Sequence, residues 1–203
     1  MANKSLQHSS LTDNIFYRSM LAGNDAYNPE SESDDFLEEV VLSTDTATVS
    51  FTGLGTYATA GYKHLQIRIV NGDSLNASGG TWSTLRMNGD SGMNYRDHAL
   101  RGTGSSVVSN TNSTNRMYVF SSPYGGGASD GYGAAVIDIL DFSSSVKNTT
   151  VRSLSGYNID SVGEIGLFSG LWVNTSAVTN IELQTGNANF VTGSRFSLYG
   201  SKG

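Results

Sequence analysis

The clearest pattern in the chain is a period of two. In Tyr62 to Val70, Leu65, Ile67 and Ile69 alternate with His64, Gln66 and Arg68, as in a strand with one face on a core. Gly61 before it and Asn71-Gly72-Asp73 after it supply turn chemistry. The tail repeats the pattern, with Phe196 and Leu198 on one side and Arg195 and Tyr199 on the other. Similar short runs recur at Phe36–Leu42, Thr48–Phe51, Thr81–Met87, Tyr95–Leu100, Asn115–Phe120, Thr149–Leu154, Ile165–Val173 and Val178–Leu183. Gly133–Phe142 is apolar on both faces, with Val136, Leu140 and Phe142 opposite Ala135, Ile137 and Ile139, which predicts a strand buried between two layers. Gly53–Gly61 reads as a loop, and Asn88-Gly89 as a turn or hairpin loop between two strands. The pattern predicts eleven or twelve strands, at most one short helix, and an all-β fold: a two-layer antiparallel β-sandwich of jelly-roll kind. The predicted core is Leu65, Ile67, Ile69, Val136, Leu140, Phe168, Leu171, Phe196 and Leu198.

The first thirty residues break the pattern. Leu11, Ile15, Phe16, Met20 and Leu21 stand among polar residues before Asn28-Pro29. A short amphipathic helix and an extended segment both fit them. The chain therefore divides into an N-terminal anchoring arm, residues 1–30, and a sandwich domain, residues 31–203. The five apolar arm residues are the candidate interaction site, docking on the chain's own core or on a neighbour.

Composition changes the picture in three respects. With no cysteine there is neither a disulfide nor a thiolate metal site. The net charge of -6 has a local source, because Glu30, Glu32, Asp34, Asp35, Glu38 and Glu39 crowd into ten residues without Lys or Arg. We read that cluster as a solvated loop leading into a strand, and the near-neutral remainder offers no basic footprint for nucleic acid. Finally, Met1–Ser10 lacks the apolar core of a signal peptide, and no later run is long and apolar enough to span a membrane, so synthesis without an export signal is expected.

Candidate chemistry is sparse. Asp138 and Asp141 are three apart in a strand and point to opposite faces, so they cannot flank one glycosidic bond. Asp138 needs a partner among its apolar neighbours, for which Arg68, Arg152 and backbone amides are candidates. Asp97 and His98 are adjacent and also diverge, and there is no G-x-S-x-G nucleophile elbow. Asn88-Gly89-Asp90-Ser91-Gly92 lacks the ligand count of a calcium loop and reads as a turn fixed by Asx side chains. Three scattered His make a zinc site improbable. Neither catalytic, cofactor nor metal-ligating residues are assigned. Trp82, Trp172 and ten Tyr are a resource for stacking on sugars, although Trp172 alternates with Phe168 as a core residue does.

The order of segments is recognisable. "YKHLQIRIV", "LRMNGDSGMNY", "HALRGTGSSV", "GAAVIDILDF", "TVRSLSG", "GLFSGLWVNTSAVTNIEL" and the terminal "FSLYGSKG" together resemble a family of tailed-bacteriophage virion proteins of marine and cyanobacterial phages, labelled tail-fibre, decoration or structural proteins. The resemblance covers roughly residues 36 to 203. Members often end in "F-x-LYGIKG" and carry a short "SIP"-type loop where this chain has the longer Gly53–Gly61. The resemblance implies a β-sandwich module of the virion, made in the host cytoplasm, often trimeric and without enzymatic activity. Its partners would be capsid or tail proteins and further copies of itself, with no nucleic acid or membrane. A host surface glycan is the alternative ligand.

Overall fold

The structure is a computed structural model and describes residues 34–124, 131–159 and 162–202. Twelve strands and one five-residue helix are formed among them: β1 Asp35–Val41, β2 Thr48–Thr52, α1 Gly55–Thr59, β3 His64–Asn71, β4 Gly80–Met87, β5 Tyr95–Gly102, β6 Val107–Thr114, β7 Met117–Pro123, β8 Gly133–Leu140, β9 Thr149–Ile159, β10 Val162–Trp172, β11 Asn180–Gln184 and β12 Arg195–Ser201. The strands make two antiparallel sheets. The larger has the order β1-β12-β3-β8-β9-β10-β5-β6, the smaller β2-β11-β4-β7.

The core lies where the sheets face one another. Leu65, Ile67, Ile69, Ile137, Ile139, Phe196 and Leu198 of the large sheet meet Phe51, Leu85, Met87, Phe120, Ile181 and Leu183 of the small one, all at most 2% exposed. Phe190, from the segment before β12, packs edge-on against Phe196 at 4.9 Å and stacks with Phe120 at 6.4 Å. β3 and β12, the strands of clearest period-two pattern, pair side by side in the large sheet with their apolar faces on this core.

Several expectations need correction. Val136, Leu140 and Leu171 are not core residues: Val136 is exposed and the other two are half-buried, because they sit on the outward face of the large sheet. β8 is thus covered on one side by the small sheet, and its outward apolar residues have no second layer among the described residues. Phe142 does reach the core, but not by alternation. Asp141 has a left-handed backbone (φ 54°), which reverses the facing of the next residue. The segment Gly53–Gly61 contains α1 rather than loop alone. Asn88-Gly89 is a turn, with both residues left-handed and Asp90 N–H donating to the Met87 carbonyl at 2.9 Å, yet it is no hairpin, because β4 and β5 belong to different sheets. The acidic cluster leads directly into β1: Asp35 and Glu39 lie on that strand, where Asp35 accepts from Tyr62 Oη at 2.8 Å. The arm residues Leu11, Ile15, Phe16, Met20 and Leu21 lie outside the described residues.

Candidate functional site

The two hairpins β5–β6 and β9–β10 continue the large sheet past β8, and the edge strand β7 of the small sheet packs across β8, β9, β10 and β5. What faces outward on this extension follows from the register. One row of outward residues runs Arg68, Val136, Leu154, Leu167, Leu100 and Ser109 across β3, β8, β9, β10, β5 and β6. The next row towards the upper end of the sheet runs Val70, Ala134, Gly156, Ile165, Gly102 and Val107 over the same strands. Leu154, Leu167 and Leu100 are each about half exposed, Ile165 is 61% exposed and Val107 75%. These residues form one contiguous apolar band. A groove of about 830 Å³ lies along it, lined by Val70, Ala134, Val136, Leu154, Gly156 and Ile165 among others. A smaller hollow of about 270 Å³ lies between Leu100, Gly102, Val107, Ile165 and Leu167.

Charges border the band and are neutralised within the chain. Asp138 accepts from Arg152 Nε at 2.8 Å and from Gln66 Nε2 at 2.9 Å. Arg68 pairs with Asp34 at 3.3 Å and lies 4.1 Å over the Tyr199 ring, while Arg195 reaches Glu39 at 3.7 Å. The partner of Asp138 is thus Arg152, one of the candidates the sequence offers. The pair sits on the outward face rather than in an apolar interior, and Arg152 is 70% exposed.

The opposite, inward face of the extension carries the other polar groups, most of which are engaged structurally, although the Arg101 Nε is buried without a hydrogen-bond partner among the described residues. Arg101 Nη1 donates to Glu164 Oε2 at 2.6 Å, the second Glu164 oxygen accepts from Ser121 on β7, and the guanidinium covers the Trp82 ring at 4.1 Å. Burial, and then the nearby Glu164 carboxylate, push the Tyr157 phenol up to about 12. Asp97 is buried, accepting from Asn112 Nδ2 at 2.8 Å and from the Tyr118 N–H at 3.3 Å. Burial pushes its carboxyl above the usual range in spite of both donors. His98 points the other way, to the exposed face, as adjacent strand residues must.

The Asn88–Gly92 loop is likewise committed. Asp90 Oδ2 accepts from Trp172 Nε1 at 2.8 Å and Asn94 Nδ2 at 2.9 Å, and Oδ1 from the Gly92 N–H at 2.8 Å. The Trp172 bond above all holds this carboxyl below the usual range. Trp172 is 1% exposed, and Trp82 is half-buried with edge contacts to Tyr118 and Phe168, so neither indole is laid open as a platform for a sugar. Among the described residues no group of three acidic or histidine side chains is placed to hold a metal ion, and no helix is long and apolar enough to cross a membrane.

No family model, curated protein or solved structure matches this chain. The apolar band is the candidate surface that sequence reasoning missed. Its signal was present in the two-sided apolar pattern of 133–142 and in Leu154 and Leu167, which stand at outward positions of their strands.

Proposed function

We propose that this chain is a non-enzymatic structural protein of a bacteriophage virion, a head decoration or cement protein or a tail-fibre or adaptor component, that docks through its N-terminal arm and self-associates. The observation that carries the reading is the apolar band on the outward face of the large sheet, bordered by paired charges. An apolar centre inside a polar rim is the anatomy of a protein–protein contact, and a monomer rarely exposes so continuous an apolar surface. The carboxylates supply further support, since Asp90, Asp97, Asp138 and Glu164 are each occupied in holding strands or loops together.

A sandwich of jelly-roll kind is part of this proposal. It is supported by the strand order: β1-β12-β3-β8 in one sheet and β2-β11-β4-β7 in the other interleave early and late strands as two Greek keys do. The blocks that resemble virion proteins include β3, β8 and β12, neighbours in the large sheet. As the resemblance implies, the protein would then enter the particle after synthesis in the host cytoplasm. Mass spectrometry and immunogold labelling of purified particles test the reading. Labelled particles are expected; particles that lack the chain would overturn it. Deleting residues 1–30 is expected to leave the sandwich folded and to abolish incorporation, and normal incorporation of the truncated chain would remove the anchoring role.

A further inference from the structure

The band carries a pattern that points to its occupant. Along the upper row bulky and small residues alternate: Val70, then Ala134 and Gly156, then Ile165, Gly102 and Val107. Neither glycine is needed by this chain. Neither has a left-handed backbone, and a Cβ would meet only Ile165 Cγ2 at 3.6 Å from Gly102, or only the Glu164 carbonyl at 3.4 Å from Gly156. Both are ordinary contacts, whereas glycine weakens a strand interior and often marks a place where something else approaches closely.

We infer that the band is covered by the same band of a second copy of this chain, packed face to face about a twofold axis running along β9 through Gly156 and Leu154. The inference rests on reading the band as an assembly surface. Such an axis opposes strands that are equally distant from β9 on its two sides. In the upper row Val70 then meets Gly102, Ile165 meets Ala134, and Gly156 meets its own copy. In the lower row Val136 meets Leu167 and Leu154 meets Leu154, while the aliphatic stem of Arg68 covers Leu100. Large residues thus face small ones at the centre of the first row and apolar residues face one another at the centre of the second, while at the edges Val107 meets the Arg195 stem and Ser109 meets Ser197.

Neighbouring axes do not give this fit. An axis on β8 brings both arginines one strand nearer the centre, setting Arg68 against Leu154 and Arg195 against Ile165. An axis on β10 sets Ile165 on itself and leaves Gly156 facing Gly102 across a void. Charge agrees with a second copy as well. The rim pairs Arg195–Glu39, Arg68–Asp34 and Arg152–Asp138 leave the face in need of a neutral apolar partner rather than an oppositely charged one, and the band is itself such a surface. Arg152 also falls on the axis, where each guanidinium is held by Asp138 of its own chain. The six strands span about 24 Å at the usual strand spacing. With its rims, such a face is of the order of the ~800 Å² per partner that a specific contact buries.

The absence of cysteine makes the test direct. In full-length Leu154→Cys the thiol meets its own copy, so mild oxidation is expected to give a covalent dimer; Val107→Cys, more exposed but far from the axis, is expected to stay uncross-linked. Sedimentation of the unmodified chain is expected to show a dimer, lost in Leu154→Arg and retained in Ser50→Arg on the small sheet. A monomeric chain overturns the inference and leaves the band to a partner of other composition. So does a trimer, or any oligomer, in which position 154 cross-links no faster than position 107. The virion reading stands or falls separately: a dimer cross-linked at 154 that particles never contain sinks that reading alone, and a monomer found in particles sinks this inference alone.

Discussion

Asp138 and Asp90 show why two hydrogen-bonded carboxylates have different weight. Asp138 pairs with an exposed arginine on the open face of a sheet, and such pairs contribute little. Asp138→Ala is therefore expected to lower the stability of the isolated chain by no more than about 1 kcal/mol in urea denaturation. Asp90 binds the indole N–H of a residue that is 1% exposed, so its removal strands a buried donor. Asp90→Ala is expected to cost about 1–3 kcal/mol in the same measurement. Asp97 gives a pH signature. Burial raises its folded-state pKa, so below about pH 4 both states are protonated and nothing is lost, whereas above that the unfolded chain ionises first and stability falls until the folded pKa is passed. The carboxylate therefore opposes folding at neutral pH. Asp97→Asn is expected to remove that fall, read as a flatter dependence of denaturation midpoint on pH above about 4; an unchanged profile would show that Asp97 is not its source. The opposite facing of Asp97 and His98, and the turn at Asn88-Gly89, were legible from residue type and spacing. The reversal at Asp141 was not, because a left-handed aspartate has no periodic trace.

At the scale of elements, alternation was reliable where one face is apolar and the other polar, and it failed where both are apolar or both polar. β3 and β12 read plainly. β8 looked buried on both sides because its outward Val136 and Leu140 are as apolar as its inward Ile137 and Ile139, and a sequence cannot say whether a second layer exists. β6, Val107–Thr114, was missed since its Ser, Asn and Thr carry no alternation; backbone pairing with β5 and the bond from Asn112 to Asp97 define it. The extension of β9 and β10 to a paired hairpin of eleven residues each was likewise hidden by Gly156, Gly163 and Gly166. The Arg101–Glu164–Ser121 cluster, in which Glu164 is 8% exposed, fastens this hairpin to the small sheet together with Ser153 Oγ on the Val119 carbonyl and the Ser121 N–H on Ser155 Oγ. Breaking a buried pair leaves the other charge stranded, so Glu164→Ala is expected to cost about 3–5 kcal/mol. A loss below about 1 kcal/mol would mean that the serine bonds and apolar contacts hold the hairpin without the cluster.

For the molecule as a whole, two sheets of unequal size are the decisive fact. The small sheet packs on one face of the large one, and the other face carries an outward band that the resemblance to virion proteins did not locate. The fold class was legible because turn residues space the strands evenly, but the excess of strands in one sheet depends on which strands pair across long sequence distances. Truncating a residue of the shared core, such as Ile67→Ala or Phe196→Ala, is expected to cost about 2–5 kcal/mol, whereas Leu167→Ala on the band should cost the isolated chain well under that. Comparable losses at all three positions, measured at concentrations too low for association, would show that the band is covered within the chain.

The strand order also has a consequence for how the molecule comes into being on the ribosome. β12 lies between β1 and β3, and β11 between β2 and β4, so the seams of both sheets are filled by segments synthesised long after their neighbours. Until they emerge, β1 and β2 have no partner strands, and one hydrogen-bonding edge each of β3 and β4 remains open to other nascent chains. Closure must then bring together segments about a hundred residues apart or more, which makes it slow and exposes the chain to misassembly meanwhile. Chains stopped just before Arg195 would be caught in that unfinished state, with every strand but one already made and no way to shut the sheet.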